Sequence, residues 1–328
     1  MPANLPPDYF AAEERFRTAK TVEDKIEALE EMLAIMPKHK GTDKLRAMLR
    51  ERISKFRDQA KQKKGAAKHK TAYSIEKEGA AQVAIVGPPN TGKSSLVALV
   101  TNASPETAPF PHTTHKPTPG MMEYEDIQFQ LIDTPPITRQ YADPALLDLL
   151  RRTDIVIVMV DLMADPIAQY EEIMAILHDY RIYSPQCRLP ENLPKRPFIR
   201  KTLVIVNKMD RQEDQEALDI FRELSGLEQP CLGISTKTGL NVSRLPEAIF
   251  SLADIVRVYT KRPGKEADLT APFILPAGST VEELAARIHN EFATKLKYAR
   301  IWGRGVRDGQ MVQRNYVMQD GNITEFCI

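Results

Sequence analysis

The sequence has few cysteines and no long run of apolar residues, and these two absences exclude several classes of protein. Its 328 residues include only Cys187, Cys231 and Cys327, which are odd in number and widely spaced. Such cysteines fit reduced thiols better than a disulfide framework or a zinc site. The longest apolar run, Ile155 to Val160, is far shorter than the roughly 20 residues of a membrane-spanning helix. Because the N-terminus also lacks the apolar segment of a signal peptide, we expect a cytoplasmic protein with no membrane partner.

An overall charge is also missing. The 45 Lys and Arg residues nearly balance the 44 Asp and Glu residues, which leaves a formal net charge of +1. We therefore expect no general attraction to nucleic acid, and nothing in the sequence indicates specific DNA binding. The distribution is uneven, because eight basic residues and one acidic residue lie between Arg52 and Lys70. This basic tract is either a solvated linker or a surface that contacts the phosphates of ribosomal RNA.

The patterning divides the chain into three parts. Residues 1–78 show helical periodicity, with a capping box at Thr21–Asp24 and a second cap at Thr42, which predicts a helical hairpin followed by the basic tract. Residues 79–262 alternate β-branched runs with helical stretches, as α/β domains with a mainly parallel sheet do. Residues 267–328 combine short strands with a capped helix and predict a small α+β domain.

Short apolar runs in residues 79–262 and 267–328 predict strands. These runs are Val83–Val86, Ile127–Ile132, Ile155–Val160, Leu203–Val206, Leu232–Ile234, Phe273–Leu275, Tyr298–Trp302 and Ile323–Ile328. Tyr298 and Trp302 are four residues apart, so they share one face of their strand. They either pack in the core, which is the favoured interpretation, or stack on bases.

A phosphate-binding motif follows the first of these strands. The segment Gly87–Ser94 fits G-x-x-x-x-G-K-[ST] and leads into a helical stretch, which is the context that this motif requires. Its backbone N–H groups would surround phosphates at a helix N-terminus, with Lys93 reaching the β- and γ-phosphates and Ser94 holding Mg²⁺. The predicted phosphate-binding residues are Gly87, Pro88, Pro89, Asn90, Thr91, Gly92, Lys93, Ser94 and Ser95.

A second motif indicates that the base is guanine. Asn207-Lys208-Met-Asp210 follows the strand Leu203–Val206. It offers an amide for the acceptor edge of guanine, a carboxylate for the donors of its ring and amino group, and a lysine that can lie along the ring. Adenine would leave Asp210 unpaired, which costs about 1–3 kcal/mol. Ser235, Thr236 and Lys237 follow the next strand and could close over the edge of the base.

Two further positions could complete a magnesium site. Asp133 ends the strand Ile127–Ile132 and can hold the water shell of Mg²⁺, as a Walker-B carboxylate does. Thr113 and Thr114 lie in the proline-rich stretch Pro109–Pro119, between the phosphate-binding helix and that strand. A hydroxyl of either threonine could complete the coordination of the ion.

Together these motifs resemble those of the Obg-related translation-factor GTPases, and specifically of the developmentally regulated GTP-binding proteins. Phe110-Pro-His-Thr-Thr114, with Pro117 and Gly120, resembles the first switch of that group, which implies that Thr114 binds Mg²⁺. Asn90 matches the asparagine that coordinates K⁺ in related potassium-activated GTPases. Lys93, Thr114 and Asp133 are thus the expected catalytic residues, and GTP or GDP, Mg²⁺ and K⁺ the expected cofactors.

The resemblance covers nearly the whole chain. Pro37–Lys44 resembles the helical N-terminal segment of the family, while Leu296–Gly303, Asp308–Gln310 and Asp320-Gly321 resemble its C-terminal TGS domain, a ubiquitin-like (β-grasp) fold. TGS domains occur in translation proteins, which implies a partner in the ribosome or its RNA and an unidentified protein partner.

Two departures from the family are evident. The family has a ribosomal-protein-like insertion before the asparagine of the guanine motif, and here only His178–Lys201 is available. In addition, Pro136 stands where the family has glycine, in Asp133-Thr-Pro-Pro136. Proline has no N–H to donate to a γ-phosphate, so either another donor replaces it or the GTP and GDP states differ less than in typical switches.

Three functions fit these observations to different degrees. The first is slow GTP hydrolysis, slow because apolar Ile137 follows Pro136 where a glutamine or histidine could position the attacking water. The second is a binding module whose conformation depends on GTP, with little or no hydrolysis. The third, an ATP-dependent kinase, leaves Asn207 and Asp210 without a role.

Overall fold

The computed structural model describes residues 7–19, 22–36, 46–55, 73, 75–101, 117–139 and 142–327. The chain forms two compact units, residues 1–74 and 75–328. No helix within the described ranges has the length and hydropathy needed to cross a membrane.

The first unit is helical. It contains α1 (Pro7–Thr18), α2 (Val22–Ile35) and α3 (residues 46–55). Their buried core consists of Tyr9, Ala12, Leu29, Met32, Met36, Leu49 and Ile53. The sequence predicts α2 and α3 but misses α1, whose apolar stripe is narrow. The predicted caps Thr21 and Thr42 and the basic tract beyond residue 55 lie outside the described residues.

The second unit contains two main sheets and the helices that cover them. Its described strands are β1 (Gln82–Val86), β2 (Thr118–Tyr124), β3 (Ile127–Asp133), β4 (Ile155–Asp161), β5 (Ile182–Tyr183), β6 (Phe198–Ile199), β7 (Lys201–Asn207), β8 (Cys231–Gly233), β9 (Ile255–Thr260), β10 (Asp268–Pro276), β11 (Tyr298–Trp302), β12 (Gln310–Val312) and β13 (Asn322–Cys327). Its described helices are α4 (Lys93–Val100), α5 (Pro144–Leu150), α6 (Pro166–Asp179), α7 (Asp214–Leu224), α8 (Leu245–Ala253), α9 (Val281–Ile288) and α10 (Asn290–Lys295).

The first sheet is mainly parallel, as the alternation of runs predicts. Its strand order is β2-β3-β1-β4-β7-β8, and only β2 is antiparallel to its neighbour. All five residues of β1 are buried, because helices cover both faces of a parallel sheet. Strand β2, which contains Pro119, is not among the predicted strands. The structure places β2 at an edge, where proline is tolerated.

Alternate residues of this sheet enter two separate cores. Ala84 and Val86 of β1 pack on one face, with α5, α6 and α7. Val83 and Ile85 pack on the other face, with α4 and α8. Because β3, β1, β4, β7 and β8 are parallel, their carboxyl ends lie at one edge of the sheet. In open α/β sheets, ligands bind at this edge.

The C-terminal sheet has the order β10-β9-β13-β11-β12. Its core includes Val258, Leu275, Leu284, Ala299 and Ile301. The predicted capping box at the start of α9 is present, with Thr280 and Glu283 bonded reciprocally. The sequence-based boundary leaves residues 255–260 in the α/β domain, whereas the structure uses them as β9 of this sheet.

The core-packing interpretation of Tyr298 and Trp302 is wrong. Ala299 and Ile301, between and beside them in the strand, fill the core and are fully buried. Tyr298 and Trp302 therefore lie on the opposite face, and both are partly exposed. The ammonium of Lys261 lies 3.8 Å from the centroid of the Trp302 ring.

Candidate nucleotide-binding site

The carboxyl edge of the first sheet brings together the ends of its parallel strands. Gly87 follows β1, Asp133 ends β3, Asp161 ends β4, Asn207 ends β7 and Ser235 lies two residues after β8. Register pairs Asp161 directly with Asn207. Residues that are up to about 150 positions apart in the sequence thus border one site.

The two glycines of the phosphate-binding loop lie where no side chain would fit. A Cβ on Gly87 would come within 2.3 Å of the carbonyl oxygen of Met159. Gly92 has a φ of 96°, and a Cβ there would come within 2.4 Å of Nδ2 of Asn207. Gly92 immediately precedes α4, so the loop leads into a helix N-terminus whose free N–H groups and dipole favour an anion.

Lys93 is buried beneath this loop. Its ammonium donates hydrogen bonds to the carbonyl oxygens of Gly87 and Pro88, at 3.0 and 2.8 Å. Burial lowers the pKa of Lys93 to about 8, and the carboxylate of Asp133 partly opposes this shift. The positive charge is therefore held inside the loop, in the place where phosphate oxygens would be received.

Ser94 and Asp133 are adjacent and leave one carboxylate oxygen open. The Ser94 hydroxyl donates to Oδ2 of Asp133 at 2.6 Å. Oδ1 of Asp133 is buried and has no hydrogen-bond partner within the described ranges. Burial raises the pKa of Asp133. An unsatisfied buried oxygen beside a hydroxyl fits the hydrated shell of Mg²⁺, which prefers oxygen ligands and retains several waters.

A cluster of three or more histidine, cysteine, aspartate or glutamate residues suited to a metal is not present in the described part of the chain. Thr114, the other predicted ligand, lies outside the described residues.

Asn207 connects the phosphate-binding loop to the loop after β8. Its side-chain amide donates to the carbonyl oxygen of Thr91 at 2.8 Å and to the hydroxyl of Thr236 at 3.1 Å. Its amide oxygen accepts from the backbone N–H of Thr236 at 3.0 Å. Because Asn207 is fully buried, these bonds fix the relative position of the two loops.

Asp210 projects from the same loop as Asn207 and is exposed. The hydroxyl of Ser235 donates to Oδ1 of Asp210 at 2.6 Å, and the ammonium of Lys237 lies 3.4 Å from Oδ2. The Ser235 hydrogen bond, together with Lys237, lowers the pKa of the Asp210 carboxyl. The ionised carboxylate is thus available as an acceptor. Ser235 and Lys237 contact Asp210, while Thr236 contacts Asn207.

Lys208 has a partner that the sequence analysis misses. Its ammonium lies 2.5 Å from Oδ2 of Asp161, at the end of the neighbouring strand. Lys208 has a φ of 72°, an uncommon conformation for a residue with a side chain and one found at functional sites. Asp161 directly follows the predicted strand Ile155–Val160, so its position at the carboxyl edge is a signal that could have identified it.

The remaining predicted residues of the phosphate-binding loop differ in their exposure to solvent. Asn90 is exposed and has a φ of 62°, while Pro88 and Pro89 are partly buried. Thr91 is buried, and its hydroxyl donates to the carbonyl oxygen of Pro88 at 3.1 Å. Ser95 lies in the first turn of α4 with its side chain exposed.

The segment after Asp133 is tied to the phosphate-binding loop. The backbone N–H of Ile137 donates to the carbonyl oxygen of Gly87 at 3.2 Å. The hydroxyl of Thr134 donates to the carbonyl oxygen of Ile85 at 2.6 Å. Since Pro136 has no N–H and that of Ile137 already has a partner, neither residue offers a free backbone donor at this point.

Known proteins match this chain in two regions and across most of its length. A family model described as a 50S ribosome-binding GTPase matches residues 82–190, and a TGS domain model matches residues 256–328. Developmentally-regulated GTP-binding protein 2 of Homo sapiens is 25% identical over 92% of this chain and 98% of its own length. Over most of its length this chain is therefore similar to the developmentally regulated GTP-binding proteins, with a GTPase domain followed by a TGS domain.

Two further relatives extend this finding, and both are themselves GTP-binding proteins by name. An uncharacterized GTP-binding protein of Methanocaldococcus jannaschii is 27% identical over 94% of this chain and 93% of its own length. GTP-binding protein 1 of Schizosaccharomyces pombe is 26% identical over 92% and 97%. The P-loop GTPase fold, with its mostly parallel sheet, and the C-terminal TGS domain are therefore both confirmed.

The alignment with the M. jannaschii protein extends over 364 positions, more than the 328 residues of this chain. The relative thus contains segments that have no counterpart here. Among solved structures, Era in complex with MgGDPNP and part of 16S ribosomal RNA covers 67% of this chain and 70% of its own, with 21% identity and a TM-score of 0.40.

Proposed function

We propose that this protein binds GTP and GDP with Mg²⁺, hydrolyses GTP slowly to GDP and phosphate, and acts in the cytoplasm with the ribosome or its RNA. The observation that carries the proposal is the position of Asn207, whose amide binds both the phosphate-binding loop and the loop of Ser235–Lys237. Phosphate recognition and base recognition are thereby joined in one rigid arrangement.

Guanine selectivity depends on Asp210. Its carboxylate accepts from the ring N–H and amino group of guanine, while Ser235 and Lys237 keep it ionised. Thr236 closes the edge of the base through its backbone amide, and the methylene chain of Lys208 lies along the ring, with its ammonium fixed by Asp161. Adenine presents the opposite pattern of donors and acceptors to Asp210 and is rejected.

The phosphates lie over residues 87–95, at the N-terminus of α4. Lys93 exchanges its two loop carbonyls for the β- and γ-phosphates. Ser94, Thr114 and Asp133 hold Mg²⁺, and the amide of Asn90 coordinates K⁺ beside the phosphates. When bound, these ions offset negative charge that develops during phosphoryl transfer.

Slow turnover follows from the segment after Asp133. The side chain of Ile137 is 1% exposed and apolar, so it cannot orient an attacking water. The position of the attacking water then depends on backbone groups, an ion or a partner. Without an arginine supplied by a partner, we expect a rate constant for GTP hydrolysis on the order of 10⁻⁴ to 10⁻³ s⁻¹.

Association with the ribosome or its RNA is supported by the description of the matching family model and by the TGS domain. The basic tract between Arg52 and Lys70 supplies phosphate contacts. A protein partner, not yet identified, completes the assembly. For functional dissection we propose the domain limits 1–78, 79–254 and 255–328, in which the predicted boundary at residues 262–267 is moved back to Ile255 so that the TGS domain includes β9.

A second function is favoured by Pro136. Pro136 has no backbone N–H, and the N–H of Ile137 is bonded to Gly87. A γ-phosphate therefore has less influence on the conformation of residues 134–138. The alternative is a binding module that responds to guanine nucleotides with little or no hydrolysis.

Single-turnover hydrolysis decides between the two. Wild-type protein loaded with GTP and Mg²⁺ should release phosphate slowly, Lys93→Ala should abolish the release, and Lys265→Ala, an exposed lysine of the TGS domain, should leave it unchanged. No release from the wild type, with GTP still bound tightly, would establish the binding module. Equal affinities for ATP and GTP would contradict both.

A further inference from the structure

A small, strongly basic lobe precedes the guanine motif, at the position in the chain where the related family has an inserted domain. We define the basic lobe as residues 181–201. Its ends are held by the parallel pair β5–β6, in which Ile182 lies opposite Phe198 and Tyr183 opposite Ile199. Ile182 and Tyr183 are buried, whereas most of the intervening residues 184–197 are exposed. The lobe is therefore anchored at its base and open to solvent above it.

The charge of the basic lobe is not balanced. It contains six basic residues and one acidic residue, Glu191, in a chain whose total charges nearly cancel. Within the described ranges, Lys201 is the one member of this set that forms an ion pair, with Asp254 at 3.7 Å, and Asp154 acts on Arg200 from a greater distance. Among the described residues no carboxylate pairs with the other five: Arg181, Arg188, Lys195, Arg196 and Arg200. The lobe therefore carries a local excess of positive charge.

Aromatic packing holds part of this charge in place. The guanidinium groups of Arg181 and Arg151 lie 5.4 and 5.2 Å from the centroid of the Phe198 ring. Arg181 also donates to the carbonyl oxygen of Arg196 at 3.2 Å, and Arg200 donates to that of Arg151. Because these contacts restrain the side chains, binding of a ligand requires less loss of conformational entropy.

A groove beside the basic lobe extends the positive surface. It has a volume of about 770 Å³ and lies between the lobe, the amino ends of the parallel strands and β10. Its lining includes the basic residues Lys77, Arg152, Arg200, Lys201 and Arg287 and the acidic residues Asp154 and Asp254. This edge of the sheet is opposite the nucleotide site, so a ligand here would not compete with GTP.

We propose that the basic lobe and its groove bind the phosphate backbone of RNA. This inference deepens the RNA association of the proposed function and rests on it. Phosphate is favoured over an acidic protein because the proposed function already associates this chain with the ribosome or its RNA. Four of the five cations without a carboxylate partner are arginines, whose planar N–H donors match phosphate oxygens in pairs. The aromatic rings of the lobe are buried or covered by guanidinium groups, so the contact positions RNA without reading its sequence.

The test is the salt dependence of RNA binding by the full chain. The probe is a single-stranded RNA of mixed sequence, about 20 nucleotides long, and the lobe variant carries Arg188→Gln, Lys195→Gln and Arg196→Gln. The control variant carries Arg222→Gln, Arg244→Gln and Arg307→Gln, which removes the same charge from exposed positions elsewhere. We expect the slope of log Kobs against log salt to become less steep by about 2 in the lobe variant, because each phosphate that a protein neutralises on a single strand adds about 0.7 to the slope.

Each outcome has a distinct meaning. A slope that changes in the lobe variant but not in the control variant supports the inference. Wild-type binding with the same slope in the lobe variant overturns the inference alone, while absence of RNA binding by the wild type also overturns the proposed RNA association. Displacement of RNA by polyglutamate as effectively as by unlabelled RNA would instead assign the surface to an acidic protein. Unchanged GTP hydrolysis in both variants verifies that they are folded.

Discussion

Arg257, in the first strand of the TGS sheet, lies 2.8 Å from the carboxylate of Asp126, in the turn between β2 and β3 of the GTPase sheet. The same guanidinium group pairs with Asp320 at 2.8 Å and with Glu125. It also lies 4.9 Å from the centroid of the Phe250 ring and 5.9 Å from that of Tyr124. The side chain of Arg257 is 12% exposed, whereas those of Asp126, Asp320 and Glu125 are 20%, 35% and 58% exposed. This one residue therefore joins the two sheets through a mostly buried guanidinium group and partly exposed carboxylates.

Removal of Arg257 should destabilise residues 75–328 as a unit. Loss of one partner from a buried ion pair costs about 3–5 kcal/mol, and we expect the lower part of that range because the paired carboxylates are partly exposed. Thermal or denaturant unfolding of Arg257→Ala measures the loss. Arg222→Ala, which breaks an exposed pair with Asp219, should change stability by less than about 1 kcal/mol.

A double-mutant cycle with Asp126→Ala isolates the contact between the two sheets. Because the residues share one hydrogen-bond network, their effects should be less than additive. Additive effects would mean that Arg257 acts only within the TGS domain, through Asp320.

Guanine selectivity should change to xanthine when Asp210 is replaced by asparagine. The substitution exchanges an acceptor for a group that can donate, which suits the extra oxygen of xanthine. A mismatch at this position is worth about 1–3 kcal/mol, or roughly 5- to 150-fold in relative affinity. Competition between GTP and XTP measures the ratio, with Asp219→Asn on the exposed face of α7 as the control. A GTP preference that survives in Asp210→Asn would show that the carboxylate does not read the base.

Potassium should stimulate hydrolysis through Asn90. A monovalent cation beside the phosphates adds positive charge where transition-state charge develops. Hydrolysis in KCl should therefore exceed that in NaCl at equal ionic strength, and Asn90→Ala should remove the difference. Since Asn90 has a φ of 62°, alanine also introduces backbone strain, whereas Asn90→Gly removes the amide without that strain. Equal rates in the two salts for the wild type would exclude the site.

Replacement of Pro136 by glycine should increase the ratio of GTP-analogue to GDP affinity. Glycine restores an N–H at the position where a γ-phosphate can accept it. A net hydrogen bond to a charged group is worth about 1.5–3 kcal/mol, so the ratio should rise about tenfold or more. Titration of both nucleotides against both proteins gives the answer. An unchanged ratio would mean that the missing amide does not limit the discrimination between the two nucleotides.

Neutralisation of Lys61, Lys63 and Lys64 should weaken association with ribosomes and reduce its dependence on salt. Fewer counterions are released when fewer phosphates are neutralised. Co-sedimentation with ribosomes over a range of salt concentrations measures both effects. If wild type and variant sediment alike at every salt concentration, the basic tract is a solvated linker.

The sequence alone determined the fold class and the nucleotide motifs. The residues that bind phosphate are contiguous, and a strand, a glycine-rich turn and a helix can be recognised within about 20 residues. The sequence predicts Asp133, Asn207 and Ser235 as site residues because each follows an apolar run, and the carboxyl ends of parallel strands lie at one edge of the sheet. The roles of the individual site residues, including that of Thr114 outside the described ranges, stay predictions.

Tertiary structure decided the contacts between distant segments. Asn207 binds Thr91 across 116 positions and Lys208 binds Asp161 across 47, and no local pattern records such a pairing. β2 contains a proline and is a strand only because its neighbour β3 provides a partner at an edge. Trp302 lies opposite the core because the register of β11 against β13 places Ala299 and Ile301 against the helices. Periodicity shows which residues share a face, whereas only packing decides which face is buried.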